Sequence, residues 1–229
     1  MPCVFENDLL IDVNGETLLL DACGAAFARA HGTLIFSDLH FEKGSSYARG
    51  RQFLPPYDTA STLLRMARAI DRHKPARVIA LGDSFHDANA ADRLGPEERG
   101  MLEAMGQRSS FVWITGNHDP HPPSWLGGEI AETWRMGGLV FRHEPRTALE
   151  PGEVAGHLHP CASVAKWGRS VRRRCFVSDG LRLILPSFGA YTGGLDVGDA
   201  AIRSLFAGPF HAYMLGQSRV YAIPRRASA

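Results

Sequence analysis

FVWITGNHDPH, residues 111–121, passes from an apolar run to a polar cluster within a single turn of chain. Phe111, Val112, Trp113 and Ile114 have the continuous apolar character of a strand covered on both faces. Gly116 can turn without steric cost. Asn117, His118 and Asp119 then present an amide oxygen, an imidazole and a carboxylate at the mouth of that strand. Taken alone, this is equally a polar turn capped by Asn and Asp. Repetition decides between the two readings. Thr33–Phe36 is another apolar run and leads into Ser37, Asp38, Leu39 and His40. Arg77–Leu81 is a third and leads into Gly82, Asp83, Ser84, Phe85 and His86.

Helical segments separate these strands. Asp58–His73 places Leu63, Leu64, Ala67 and Ile70 at helical spacing, with Asp58 or Thr59 as its cap. Pro96–Gly106 opens on a proline, which suits a first helical turn. The order is β-α-β-α-β with polar residues at the C-terminal end of each strand, where open α/β sheets place their ligands. Upstream, residues 4–20 alternate about Asn14-Gly15, a strong hairpin signal. Residues 21–30 read as a short connection. Residues 41–57 read as a long loop carrying Glu42, Lys43, Arg49 and Arg51, of a length that is often functional. In the second half, residues 134–143, 153–159, 175–178, 181–185 and 212–223 read as strands, and 199–206 as a short helix. No linker divides the halves. The expectation is one α/β domain over residues 1–223, with a second, largely antiparallel sheet packed on the first. Residues 224–229 are expected to form a disordered tail.

Composition narrows the function classes. With 229 residues, 45% apolar content and a net charge of +1, the chain exerts no global pull on nucleic acid or membrane, so any steering is local. Cys3, Cys23, Cys161 and Cys175 form no CxxC pair and read as free thiols of a cytoplasmic protein. The N-terminus lacks the pattern of a signal peptide, and no stretch reaches the ~20 apolar residues of a membrane span.

The polar residues at strand ends form a candidate ligand set: Asp38, His40, Asp83, Asn117, His143, His157 and His159. Asp38/His40 and His157/His159 are each spaced by two, which on an extended segment puts both side chains on one face, so that each pair grips one ion. A mixed nitrogen and oxygen set without thiolate suits Mn²⁺, Fe, Zn²⁺ or Ni²⁺. The set exceeds the needs of one tetrahedral ion. A carboxylate shared between two ions ~3.5–4 Å apart accounts for it, and such sites hydrolyse phosphate esters.

Asp38-Leu-His40, Gly82-Asp83, Gly116-Asn117-His118-Asp119, the strand-end His143 and Gly156-His157-Leu-His159 together resemble the calcineurin-like metallophosphoesterase superfamily. The resemblance implies a four-layer α/β/β/α sandwich of two mixed sheets. SDLHFEKGSSYARG, GDSFHD, GHLHP and LPSFGAYTGG carry a closer resemblance, to the bacterial DNA-ligase-associated metallophosphoesterases. That implies a Mn-dependent DNA endonuclease or phosphodiesterase of DNA repair, with DNA as substrate and repair ligase or helicase proteins as partners. Carried over, Asp38, His40 and His159 would hold one ion and Asn117, His143 and His157 the other, with Asp83 bridging. His118 would be the general acid and Asp119 would orient its ring.

The Gly-Asp-x-Phe-His form around His86 resembles the nuclease subunit of the double-strand-break repair complex, which would put His86 near the scissile phosphate. The other reading is a histidine hydrogen-bonded to a metal ligand. Lys43 and Arg49, together with Arg172, Arg173 and Arg174 in the basic segment 166–174, are the candidate substrate-binding residues. An ordinary solvated loop and edge strand explains the segment equally well. The glycine-rich segment 186–194 is either a wall of the cleft or a packing turn. The alternative function is a phosphatase or phosphodiesterase acting on a small molecule or phosphoprotein, because neither fold nor metals fix the substrate. A non-catalytic scaffold is disfavoured by retention of His118.

Overall fold

The N-terminal hairpin forms at Asn14-Gly15, where strand β1 (Leu9–Val13) turns into β2 (Glu16–Leu20) with both turn residues at positive φ. The computed structural model describes residues 9–52, 54–55, 57–166 and 169–225. The start of the expected hairpin (residues 4–8), Cys3, Trp167 and the last four residues of the expected tail (226–229) lie outside the described residues. The chain continues through β3 (Ala26–Ala28), β4 (Thr33–Phe36), helices α1 (Lys43–Arg49) and α2 (Asp58–His73), and β5 (Arg77–Leu81). Helices α3 (Ala90–Arg93) and α4 (Pro96–Gly106), then β6 (Ser110–Ile114) and β7 (Glu129–Ala131), complete one sheet in the order β1-β2-β3-β4-β5-β6-β7. Strands β4 to β7 run parallel, so their C-terminal ends all reach the same edge.

The second sheet contains β8 (Thr133–Met136), β9 (Leu139–Arg142), β10 (Glu153–Ala155), β11 (Cys161–Lys166), β12 (Arg169–Ser178) and β13 (Arg182–Ile184). After the short helix α5 (Ala200–Arg203), β14 (Phe210–Leu215) and β15 (Val220–Arg225) close it in the order β15-β14-β12-β13-β10-β9-β8, with β11 pairing β12 alone. Most pairs are antiparallel, as expected, but β9, β10 and β13 form a parallel block. Residues 134–143 form the β8–β9 hairpin, with its turn at Gly137-Gly138 as their sequence implies. Residues 224 and 225, assigned from sequence to the tail, pair with β14 instead. Proline is tolerated there because β15 is an edge strand.

Alternation along the strands builds the layers. Leu34 and Phe36 face α2 and α4, packing with Leu63, Met66, Ile70, Leu102 and Met105. Ile35, Ile79, Val112 and Ile114 face the second sheet and meet Phe141, Val154, Phe176 and Leu183. On the outer face of the second sheet, Val177, Ile184 and Ala212 pack under Ile202, Leu205 and Phe206. The result is the expected α/β/β/α sandwich, its last layer reduced to α5 and the turn after it. Among the described residues no disulfide joins Cys23, Cys161 and Cys175, and no helix is long and apolar enough to cross a membrane.

Three further expectations change. Residues 41–57 contain a helix, α1, rather than a continuous loop. The residues nominated to cap α2 are used elsewhere. Asp58 Oδ2 accepts from the Gly44 amide at 2.8 Å and Thr59 Oγ1 from the Glu42 amide at 2.8 Å, so the start of α2 docks α1. Residues 21–30 hold β3, recruited by backbone pairing between β2 and β4 rather than by its own small residues.

An ion network joins the C-terminal end of β9 to the N-terminal ends of β10 and β13. Glu153 and Arg182 face each other across β10–β13 and are both fully buried. Arg142 Nη1 donates to Glu153 Oε1 at 3.1 Å and Arg182 Nη2 lies 3.3 Å from Glu153 Oε2. Removing one member of such a network strands a charge in the interior, at a cost of ~3–5 kcal/mol. Glu153→Ala should therefore lower stability by about that amount in urea unfolding. A loss below ~1 kcal/mol would show that the two arginines find other partners.

Candidate metal centre

The parallel strands deliver the polar residues to one place. Asp38 follows β4, Asp83 follows β5, Asn117 and His118 follow β6, His143 follows β9, and His157 and His159 follow β10. Two groups of donor atoms result, one from Asp38, His40 and His159 and the other from Asp83, His143 and His157, each with its atoms within 4.8 Å of one another. Asn117 joins the second group, with Oδ1 2.9 Å from His143 Nε2. The structure therefore brings together all seven nominated residues. Asp83 lies between the groups, with Oδ2 3.3 Å from His143 Nε2 and 4.0 Å from His40 Nε2.

The local backbone differs from the extended segments expected. Asp38, His40, Asp83, His157 and His159 all have positive φ, between 46° and 67°. That conformation is uncommon outside glycine, tolerated best by Asn, Asp and His, and concentrated at functional sites. His157 and His159 do not fall together as their spacing suggested; one belongs to each group, whereas Asp38 and His40, equally left-handed, share one. Gly82 and Gly116 make room for this crowding. A Cβ on Gly82 would lie 2.6 Å from the His143 ring, and one on Gly116 would run into the amide and carboxylate of Asp83.

The donor chemistry fits cations. His143 Nδ1 donates to the Leu81 carbonyl at 2.9 Å, which points Nε2 at Asp83 and Asn117. A ring fixed this way is typical of metal-binding histidines. His40 Nε2 and His159 Nε2 face each other at 3.4 Å, as do His157 Nδ1 and His143 Nε2 at 3.1 Å. Ring nitrogens and carboxylates converge in each group.

The titration tendencies divide the rings. Burial pushes the His40 imidazolium down to about 3, reinforced by the charge of His159. Burial and the charge of His143 also lower His157. Burial opposes charge on His143 too, but the Asp83 hydrogen bond and the charge of Asp38 prevail and raise it to about 9. For Asp83, burial is outweighed by the His143 hydrogen bond and charge, so its carboxyl falls to about 2. The carboxylates draw positive charge into a place where two of the rings resist carrying it.

The other nominated residues take different positions. His118 is 40% exposed beside the centre, with Nε2 3.9 Å from Asp83 Oδ2. Its Nδ1 donates to the His86 carbonyl at 2.8 Å. Asp119 does not orient that ring, contrary to expectation. Its carboxylate points inward and accepts from the amides of Ser84, Phe85 and Gly116, tying the β5 and β6 turns together. Burial raises Asp119 to about 7 against those amides. The His86 ring stacks on His118 with centroids 5.2 Å apart, and its Nδ1 lies 3.4 Å from His40 Nδ1. This geometry matches the histidine hydrogen-bonded to a candidate ligand.

Lys43 is half-buried on α1 and Arg49 is exposed at its far end. Arg172 and Arg173 are exposed on β12, flanking a cavity of about 390 Å³ that Cys161, Thr192 and Gln217 also line. Arg174 is employed within the fold, donating to the carbonyls of Ser187, Phe188 and Thr192. Arg65 donates to the Phe188 carbonyl from the opposite side. The segment these guanidiniums hold rests on the Asp38 turn, through Phe188 N to Ser37 O and Gly189 N to Asp38 O. Sequence reasoning missed the Leu81 and His86 carbonyls, because backbone acceptors have no residue signature. It also missed Arg65, whose position facing Phe188 no local pattern encodes.

Comparison with known proteins supports the assignment. The family model for calcineurin-like phosphoesterases matches residues 32–187. A crystal structure of a Pseudomonas putida nuclease, MPE, is similar at 29% identity and a TM-score of 0.74, covering 95% of this chain and 100% of that one. The phosphoesterase Yfce from E. coli aligns at 15% identity and a TM-score of 0.40, over 83% of this chain and 97% of its own. No curated protein matches the sequence. With two donor groups at the strand ends and the family pattern over residues 32–187, the chain belongs to the calcineurin-like phosphoesterases and is a metal-dependent phosphoester hydrolase.

Proposed function

We propose that the chain is a two-metal phosphodiesterase acting on DNA in repair, with Mn²⁺ as its ion. The observation that carries the choice of a nucleic acid is the likeness to a nuclease over 95% of this chain and 100% of that one, and DNA in particular comes from the subfamily resemblance. Partnership with repair ligase or helicase proteins belongs to this reading through the subfamily resemblance alone.

In this reading Asp38, His40 and His159 would hold one ion, Asn117, His143 and His157 the other, and Asp83 would serve both. Asp83 Oδ1 accepts from the His118 amide at 2.9 Å, which fixes the carboxylate in place. Two divalent ions there would supply activated water near neutral pH and offset charge on the phosphoryl oxygens. His118 gives the proton from Nε2 to the leaving oxygen. The His86 carbonyl keeps the other ring proton on Nδ1, so Nε2 faces the centre. Asp119 keeps the two turns at a fixed separation. Lys43, Arg172 and Arg173 contact flanking phosphates, while Arg174 acts by holding the segment behind Asp38.

Three measurements test this. Asp83→Ala should lower occupancy of both sites in elemental analysis after Mn²⁺ loading; two ions retained per chain would remove the bridging role. His118→Ala should keep its ions and lose ~10²–10⁴-fold in turnover of esters with poor leaving groups. The loss should be smaller for a p-nitrophenyl ester, which departs without a proton, and equal losses would show that His118 is not the acid. Reversing Arg172 and Arg173 to Glu should weaken DNA binding and flatten its salt dependence by ~0.7–0.9 per lost phosphate contact. Wild-type protein that hydrolyses small esters with Mn²⁺ but leaves DNA intact would move the assignment to a small-molecule phosphoesterase.

A further inference from the structure

We propose that Tyr47 is a stacking platform for the nucleobase next to the scissile phosphate, an assignment that rests on the DNA reading above. Tyr47 lies on α1, where residues 41–57 had read as loop. This helix has seven residues, too few to be stable on its own hydrogen bonds. Its surroundings hold it. Asp58 and Thr59 accept from the Gly44 and Glu42 amides. Arg93 Nε donates to Ser45 Oγ at 2.8 Å and its Nη2 to the Glu42 carbonyl at 3.3 Å, while the same guanidinium is paired with Asp87 at 2.7 Å.

This anchoring orders a ring that is then left partly open. Tyr47 is 36% exposed. Its centroid lies 5.8 Å from that of His86, tilted by 39°, and His86 is in turn stacked on His118 at 5.2 Å. The three rings form a row that starts at the proposed acid and ends on an accessible phenol. Lys43, one turn earlier on the same face of α1, holds Nζ 5.7 Å from the Tyr47 centroid. Fixing a side chain costs conformational entropy, which burial of the ring recovers only in part. A base laid on the exposed part of the ring would complete the burial, taking the place of the Lys43 ammonium over it and leaving that ammonium for the adjoining phosphate. A ring next to a cation is the arrangement by which unpaired nucleotides are held, and stacking tolerates any base. A small phosphate ester has no base to offer.

The test pairs two single-stranded oligomers of equal length, oligothymidylate and one built from abasic residues, which share phosphates but not bases. With Mn²⁺-loaded full-length protein, Tyr47→Ala should lower kcat/KM on oligothymidylate by ~5- to 150-fold, the value of one stacked base. The change should lie mainly in KM. The loss should be much smaller on the abasic oligomer, giving a coupling between side chain and base. Tyr47→Phe and Tyr47→Trp should restore cleavage of oligothymidylate. Equal losses on both oligomers would make Tyr47 a cover for His86 and overturn the platform, as would full activity of Tyr47→Ala. Failure of phenylalanine to restore activity would credit the hydroxyl and overturn it too. If the variant and wild type cleave DNA alike, only the platform falls; if wild type cleaves no DNA, the substrate reading falls and takes the platform with it.

Discussion

The carboxylate of Asp83 is the constraint on which the rest of the structure depends. It is almost wholly buried, it takes the His118 amide on one oxygen, and it faces both donor groups with the other. A charge in that position is tolerable only with dedicated partners. The turn that carries it is left-handed at Gly82 and Asp83, and Gly116 opposite is small enough to let it approach. Asp38 plays a parallel part in the other group. It is fully buried, accepts from the hydroxyl of Ser37 and the amide of His157, and so ties the first sheet to the loop after β10.

These turns are held from behind rather than by their own sequence. Asp119 binds three amides across the β5 and β6 turns, and Arg65 and Arg174 brace the segment against Asp38. The Glu153–Arg182–Arg142 network fixes the strands that end in His143 and lead to His157. Residues that touch no reacting atom therefore set the spacing of those that do. Precision of this kind is what hydrolysis at phosphorus requires, because displaced ligands lose the alignment that makes catalysis effective.

The rings form a second continuous system. His40 lies against His86, His118 and His159 with centroids 5.2–5.3 Å apart, and His86 reaches Tyr47. His86 thus touches a candidate ligand, the proposed acid and the helix at the rim at once. Burial, followed by the charges of Lys43 and His118, lowers its pKa to about 4. It is therefore a neutral ring near neutral pH, suited to supporting its neighbours and not to donating a proton.

The sequence alone determined the strands that carry the site and the identity of its residues. Apolar runs ending in Asp, Asn and His are local patterns, and a buried strand followed by a polar turn needs no distant information to be recognised. The hairpin at Asn14-Gly15, the helix Asp58–His73 and the seven donor residues were all legible for that reason. The tertiary structure decided what each residue faces. His157 and His159 part company, one in each donor group, because neither lies on an extended segment and their facing is set by the residues that each turn meets. Asp119 serves amides contributed by the neighbouring β5 turn as well as its own. Asp58, a cap by position, docks a helix that is too short to announce itself. The orientation of His118 depends on a backbone carbonyl, which every residue possesses and no pattern marks. Side-chain type is written along the chain, but partners across sheets exist only once β4 to β6 and β9, β10 and β13 have brought their C-terminal ends to one edge.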